Sequence, residues 1–99
     1  MLSKTIIIIN GPNLNNLGKR DTSLYGTKTL ADIENDISLK ASDIGVEVEF
    51  FQSNHEGSIV EFIQQWSEQA KGVIINAGAL TQVGYSILDA ILDTKLPLI

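Results

Sequence analysis

An apolar, β-branched run, Ile6-Ile7-Ile8-Ile9, halts at Asn10-Gly11-Pro12-Asn13 and constrains the fold more than any other part of the chain. Such residues are stiff at χ1 and suit a pleated backbone, and a run with no polar interruption fits a strand buried on both faces of a parallel sheet. The Gly-Pro step that follows stops the strand and turns the chain. Lys4 ahead of the isoleucines gives a superficial likeness to a signal peptide. No small-residue cleavage pattern follows, so residues 5–10 read as a first strand.

Strand and helix patterns then alternate. Leu30, Ile33, Ile37, Ala41 and Ile44 recur at helical spacing, with Thr29 and Asp32 as an N-terminal cap and Gly45 at the end. Val46, Val48 and Phe50 alternate with Glu47 and Glu49, the pattern of a half-buried strand. Ile59, Phe62, Ile63, Trp66 and Ala70 form the stripe of a second helix, expected to end near Gly72. Val73-Ile74-Ile75 reads as a third strand running into an Asn76-Ala77-Gly78-Ala79 turn. Val83, Ile87, Ala90 and Ile91 mark a third helix, which includes Tyr85 as a packing residue, and Pro97-Leu98-Ile99 begins a fourth strand. Strands separated by helices require right-handed crossovers and a parallel sheet, so the loops after Ile9, Phe51 and Ile75 are expected along one edge. The expectation is one α/β domain over residues 1–99, a flavodoxin-like doubly wound parallel sheet truncated at the start of the fourth strand. Sheets of this type commonly have about five strands. An open strand edge would invite pairing with another chain.

Composition narrows the partners. The formal charge is −5 and the lysines are scattered, which disfavours nucleic-acid binding through a basic face. No segment is long enough to cross a bilayer. Cysteine is absent, which excludes disulfides and thiolate metal sites. The local source of positive charge is Lys19 and Arg20, in the polar loop after the first strand. Arg20 is the only arginine, five residues before Tyr25, and a nearby arginine stabilises phenolate. A phenol of pKa about 10 then becomes a usable base. His55, the only histidine, lies in a Ser53-Asn54-His55-Glu56-Gly57 loop and reads as structural or interfacial.

The segment Asn10-Gly11-Pro12-Asn13-Leu14-Asn15-Asn16-Leu17-Gly18-Lys19-Arg20, followed by Tyr25-Gly26, resembles the opening signature of the type II 3-dehydroquinate dehydratases. The resemblance continues through Thr29–Glu34, Phe50–Gly57, Ile75–Thr81 and Asp89-Ala90, in the family's order and over essentially the whole chain. It implies reversible dehydration of 3-dehydroquinate to 3-dehydroshikimate through an enolate, in the shikimate pathway of aromatic amino acid biosynthesis or in quinate catabolism. It also implies a cytoplasmic hydro-lyase without metal or organic cofactor, assembled from trimers into a dodecamer.

On this resemblance Tyr25 matches the base, Arg20 the arginine that favours tyrosinate, and Asn13 the residue that holds a water near the enolate oxygen. Arg20 and Tyr25 fall in a loop that closes over substrate in the family. Asn76 matches a substrate-binding position, and Asp89 one that reaches toward a neighbouring subunit. Gln82 stands at another substrate contact, where the family has histidine, and it carries no charge. Asp21-Thr22 replaces the family's Glu-Pro. The family's general-acid histidine and second arginine belong to motifs expected after Ile99, so the 99-residue chain alone is expected to turn over slowly or not at all. The alternative is a catalytically inactive relative acting as a small-molecule binding or assembly module. A further one is a flavodoxin-like phosphate or nucleotide binder using the Gly11–Gly18 loop as an anion nest, although the phosphate-loop and dinucleotide patterns are missing.

Overall fold

The computed structural model describes residues 4–18, 27–78 and 85–99, with Tyr85 described in its backbone only. Three parallel strands, β1 (Thr5–Asn10), β2 (Glu47–Gln52) and β3 (Ala70–Asn76), lie in the order β2-β1-β3. Their connections carry helices α1 (Leu30–Ile44) and α2 (Glu56–Trp66), and α3 (Tyr85–Thr94) follows β3. Residues 97–99 then pair in parallel with β3: Val73 N–H donates to the Pro97 carbonyl and Ile99 N–H to the Val73 carbonyl, each at 2.9 Å. An isolated parallel bridge thus stands where the sequence pattern placed the start of a fourth strand.

Alternation along β1 divides the apolar residues between the sheet's faces. Ile7 and Ile9, both 0% exposed, join Ile59, Phe62 and Ile63 of α2, Val73 of β3, and Ile87, Ala90 and Ile91 of α3 in one core. Phe51 closes that core at the edge strand by stacking on Phe62 with ring centroids 4.5 Å apart. The opposite face carries Ile6, Ile8, Val48 and Ile74 beneath α1. There an apolar groove of about 250 Å³ runs beside Ile37, Ala41 and Ile44. Placing α2 and α3 on one face and α1 on the other is the doubly wound arrangement. Ile63→Ala should destabilise the chain by about 2–5 kcal/mol, since it empties a fully buried site between helix and sheet. A urea midpoint unchanged from wild type would contradict this packing.

Helix α1 starts and stops as its sequence predicts. Thr29 Oγ1 accepts from Asp32 N–H at 3.1 Å while Asp32 Oδ2 accepts from Thr29 N–H at 3.0 Å, a reciprocal capping box. Gly45, at φ 74°, ends the helix in the left-handed conformation. The Thr29 backbone N–H, and after it the Thr29 hydroxyl, hold the Asp32 carboxyl below its ordinary pKa. A depressed folded-state pKa contributes stability that is present above the unfolded value and lost as pH falls through the lowered folded value. Asp32→Ala should therefore lower the urea midpoint at neutral pH, and the gap to wild type should close beneath pH about 4. A gap independent of pH would contradict the carboxylate's part in the cap. Nearby, Lys28 pairs with Asp36 at 2.6 Å, and that hydrogen bond raises the lysine's pKa.

The sequence pattern misplaces one boundary. The second helix ends at Trp66, not near Gly72, and Ala70 already belongs to β3. Ser67 N–H donates to the Gln64 carbonyl and Gln69 N–H to that of Trp66, closing the helix without a glycine. Ala70 stands four residues after Trp66, at helical spacing, yet its small side chain is buried in register with Thr5 of β1. Gly72 is therefore a strand residue, and β3 is longer than the Val73–Ile75 expected.

Candidate active site at the carboxyl edge of the sheet

All three strands end on amide side chains in one row, with Asn10 of β1 paired to Gln52 of β2 and to Asn76 of β3. The loops leaving them are stitched together by backbone hydrogen bonds. Gly11 N–H donates to the Asn76 carbonyl at 2.8 Å, and Ser53 N–H to the Asn10 carbonyl at 3.1 Å. Gly11 is buried where the first turn crosses the third: a Cβ there would lie 2.3 Å from the Ala77 carbonyl oxygen. Only glycine permits two backbones to approach so closely.

Past Pro12 the chain turns at Asn13, whose φ of 70° and ψ of −5° are left-handed, a conformation asparagine tolerates better than most residues. A short 3-10 turn, Leu14–Asn16, follows. Asn13 N–H donates to Asn54 Oδ1 at 3.0 Å, and the exposed Asn13 side chain is hydrogen-bonded to none of the described residues. Gln52 Nε2 faces three oxygens: the Gly11 carbonyl at 3.1 Å, Asn54 Oδ1 at 3.2 Å and Asn15 Oδ1 at 3.4 Å. Asn76 is exposed, and its Oδ1 accepts from Gly78 N–H at 3.2 Å, so its amide nitrogen is the end turned to other partners.

The structure thus brings Asn13 and Asn76 to one edge through the Gly11–Asn76 bond. Asp89 is exposed on α3, and no hydrogen bond joins it to either asparagine. Arg20, Tyr25 and Gln82 lie outside the described residues, as do Val83 and the side chain of Tyr85. The chain leaves the described region at Gly18 and returns at Thr27, and a Cβ on Gly18 would stand 2.9 Å from the Thr27 carbonyl oxygen. Gly18 and Thr27 therefore stand side by side. His55 precedes α2 and is exposed, with its N–H donated to Ser53 Oγ at 2.9 Å. Glu56, the first residue of α2, accepts a hydrogen bond from Ser86 of α3 and so ties the two helix starts together.

Gln52 and Asn54 lie in the Phe50–Gly57 motif, but the sequence assigns neither of them a role. Their partners lie about 40 positions away in sequence, and only the strand register reveals that Gln52 ends beside Asn10.

A parallel, doubly wound α/β domain that gathers asparagines at its strand ends is of the flavodoxin-like class, a fold that commonly binds its ligands at the carboxyl edge of the sheet. A family profile, Dehydroquinase class II, matches residues 4–99. The 3-dehydroquinate dehydratase of Prochlorococcus marinus (strain MIT 9515) is 52% identical over 94 residues, covering 95% of this chain and 64% of the relative. That of Bacillus cereus (strain B4264) is 47% identical over 96 residues, covering 97% and 66%. The crystal structure of the type II dehydroquinase from Butyrivibrio crossotus DSM 2876 superposes with a TM-score of 0.90 at 38% identity, covering 96% of this chain and 66% of that one. The chain belongs to the class II dehydroquinase family. It spans about two thirds of the length of these relatives.

Proposed function

We propose that the strand-end site serves the reversible dehydration of 3-dehydroquinate to 3-dehydroshikimate, with this chain supplying the base-bearing part. The observation that carries the reading is the joining of Asn13 and Asn76 at the carboxyl edge by the Gly11–Asn76 hydrogen bond, in a chain of this family. The reaction must first remove a proton next to a ketone, which requires a base and a donor set for the enolate oxygen. Tyr25 acts as the base. Arg20 favours its phenolate form by placing positive charge nearby. Asn13, held by its backbone so that its side-chain amide stays available, orients a water toward the enolate oxygen. Asn76 contributes its amide nitrogen to substrate hydroxyls, since its oxygen is engaged by Gly78 N–H. Gln82 completes the contacts as a neutral donor and acceptor.

Asp89, exposed on α3, faces a second copy in a homo-oligomer of the family's type. Among the described residues no helix is long and apolar enough to cross a membrane, and the reading places the reaction in the cytoplasm.

Titrating the isotopically labelled chain with 3-dehydroquinate while following backbone amide resonances tests the reading. Shifts should concentrate at Gly11–Asn13 and at Asn76–Gly78. A titration that leaves these amides unmoved, or that perturbs the opposite end of the strands, would overturn it.

A further inference from the structure

We propose that Gln52 and Asn54 are positioning residues of this site: they lock Asn13 in its left-handed turn and thereby aim its side chain at the substrate. The inference rests on the reading of Asn13 as a substrate-side residue. Its geometric part stands on hydrogen bonds alone.

Gln52 is the last residue of β2, fixed in register beside Asn10. Its side chain leaves the sheet edge and meets three oxygens within 3.1–3.4 Å. A primary amide has two N–H donors, so the Gly11 carbonyl and Asn54 Oδ1 take the shorter bonds while Asn15 Oδ1 stands at the outer limit. Turning the amide over would set its oxygen against the same three oxygens, so the donor end is dictated by its surroundings. Asn54 is fixed by the same reasoning. Its Oδ1 receives both Gln52 Nε2 and the Asn13 N–H, so an oxygen must stand there.

The result is a relay from sheet to loop. β2 holds Gln52, Gln52 holds Asn54 and the Gly11 carbonyl, and Asn54 holds the Asn13 amide. The Gly11 carbonyl also accepts from Leu14 N–H at 3.4 Å, so the turn is gripped on both sides of Asn13. The left-handed conformation of a residue with a Cβ is intrinsically disfavoured and persists where surrounding bonds hold it. Asn13 has one such bond directly, its N–H donated to Asn54, while Gln52 at the end of β2 holds Asn54 and the Gly11 carbonyl of the same turn.

The relay requires a donor at position 52 and an acceptor at position 54, which separates it from simple space filling. Gln52→Glu keeps the size but presents oxygens to three acceptors. Asn54→Leu removes the acceptor, whereas Asn54→Asp keeps it. A positive φ brings the amide hydrogen of Asn13 close to its own Hα, so the intraresidue nuclear Overhauser effect between them reports the turn without any ligand.

Gln52→Glu and Asn54→Leu should each weaken that signal and weaken 3-dehydroquinate binding by about tenfold or more. Asn54→Asp should retain both within about twofold. Amides of Ile7 and Val73 report whether the core stays folded. An undiminished Asn13 signal in Gln52→Glu and Asn54→Leu overturns the proposal, whatever the ligand does. A lost signal with unchanged 3-dehydroquinate affinity overturns the link to substrate. If wild type binds no 3-dehydroquinate, the functional reading fails by itself, and the Asn13 signal still decides whether Gln52 and Asn54 hold the turn.

Discussion

Gly11→Ala is expected to destabilise the chain by about 2–4 kcal/mol and to dismantle the strand-end site. The added Cβ would stand 2.3 Å from the Ala77 carbonyl oxygen and 2.8 Å from its carbonyl carbon. Both are backbone atoms and have no rotamer to escape into. Relief requires the first and third strand-end turns to separate, which breaks the 2.8 Å bond from Gly11 N–H to the Asn76 carbonyl. Asn13 and Asn76 then lose their common frame, so stability and ligand response fall together. Gly57 provides the contrast: in α2, a Cβ there meets nothing within 4 Å. Alanine at that helical position should be neutral or slightly stabilising. Urea unfolding of the two variants checks the pair. A Gly11→Ala chain as stable as wild type would show that the turns do not pack as described.

The second large effect belongs to the chemistry. Tyr25→Phe should reduce abstraction of the proton next to the ketone of 3-dehydroquinate by about 10²–10⁴-fold, to the level of buffer, because the variant keeps the ring and loses the proton acceptor. Arg20→Gln should act differently. If the guanidinium stabilises the phenolate as proposed, its removal should lower the neutral-pH rate, and the rate should recover as pH rises to where a phenol ionises unaided, about 10. The two profiles, measured as solvent-deuterium incorporation against pH, separate a missing base from a base that has lost its stabilising charge. A Tyr25→Phe chain exchanging at the wild-type rate would remove tyrosine from the mechanism.

Much of the architecture was legible because it rests on local patterns. The isoleucine run, the Asn-Gly-Pro-Asn stop, the Thr29–Asp32 cap and Gly45 each act over a few residues, and each appears in the structure as its chemistry requires. The error at Ala70 arose where two periods coincide. A small apolar residue four positions after Trp66 suits a helix stripe, but tertiary pairing with Thr5 assigned it to the sheet. The candidate site is a proposal of a different kind. Asn76 ends β3 and Asn13 lies in the turn after β1, at the edge any parallel sheet makes available. The roles proposed for Arg20 and Tyr25 rest on resemblance, because spacing alone does not distinguish a catalytic pair from two surface residues. Gln52 and Asn54 stand in a motif the sequence shows, but their hydrogen bonds to the first loop run across the strand register and leave no local signal.

The measurement that bears most directly on the account is deuterium incorporation, in heavy water, at the carbon next to the ketone of 3-dehydroquinate, followed by proton NMR with and without the chain. It isolates the base step and does not depend on the departure of the hydroxyl. The account predicts incorporation well above the buffer rate with the wild-type chain, and at the buffer rate with Tyr25→Phe. Incorporation at the buffer rate with the wild-type chain, saturated with 3-dehydroquinate at neutral pH, would contradict the claim that this chain carries the base of a dehydroquinase site.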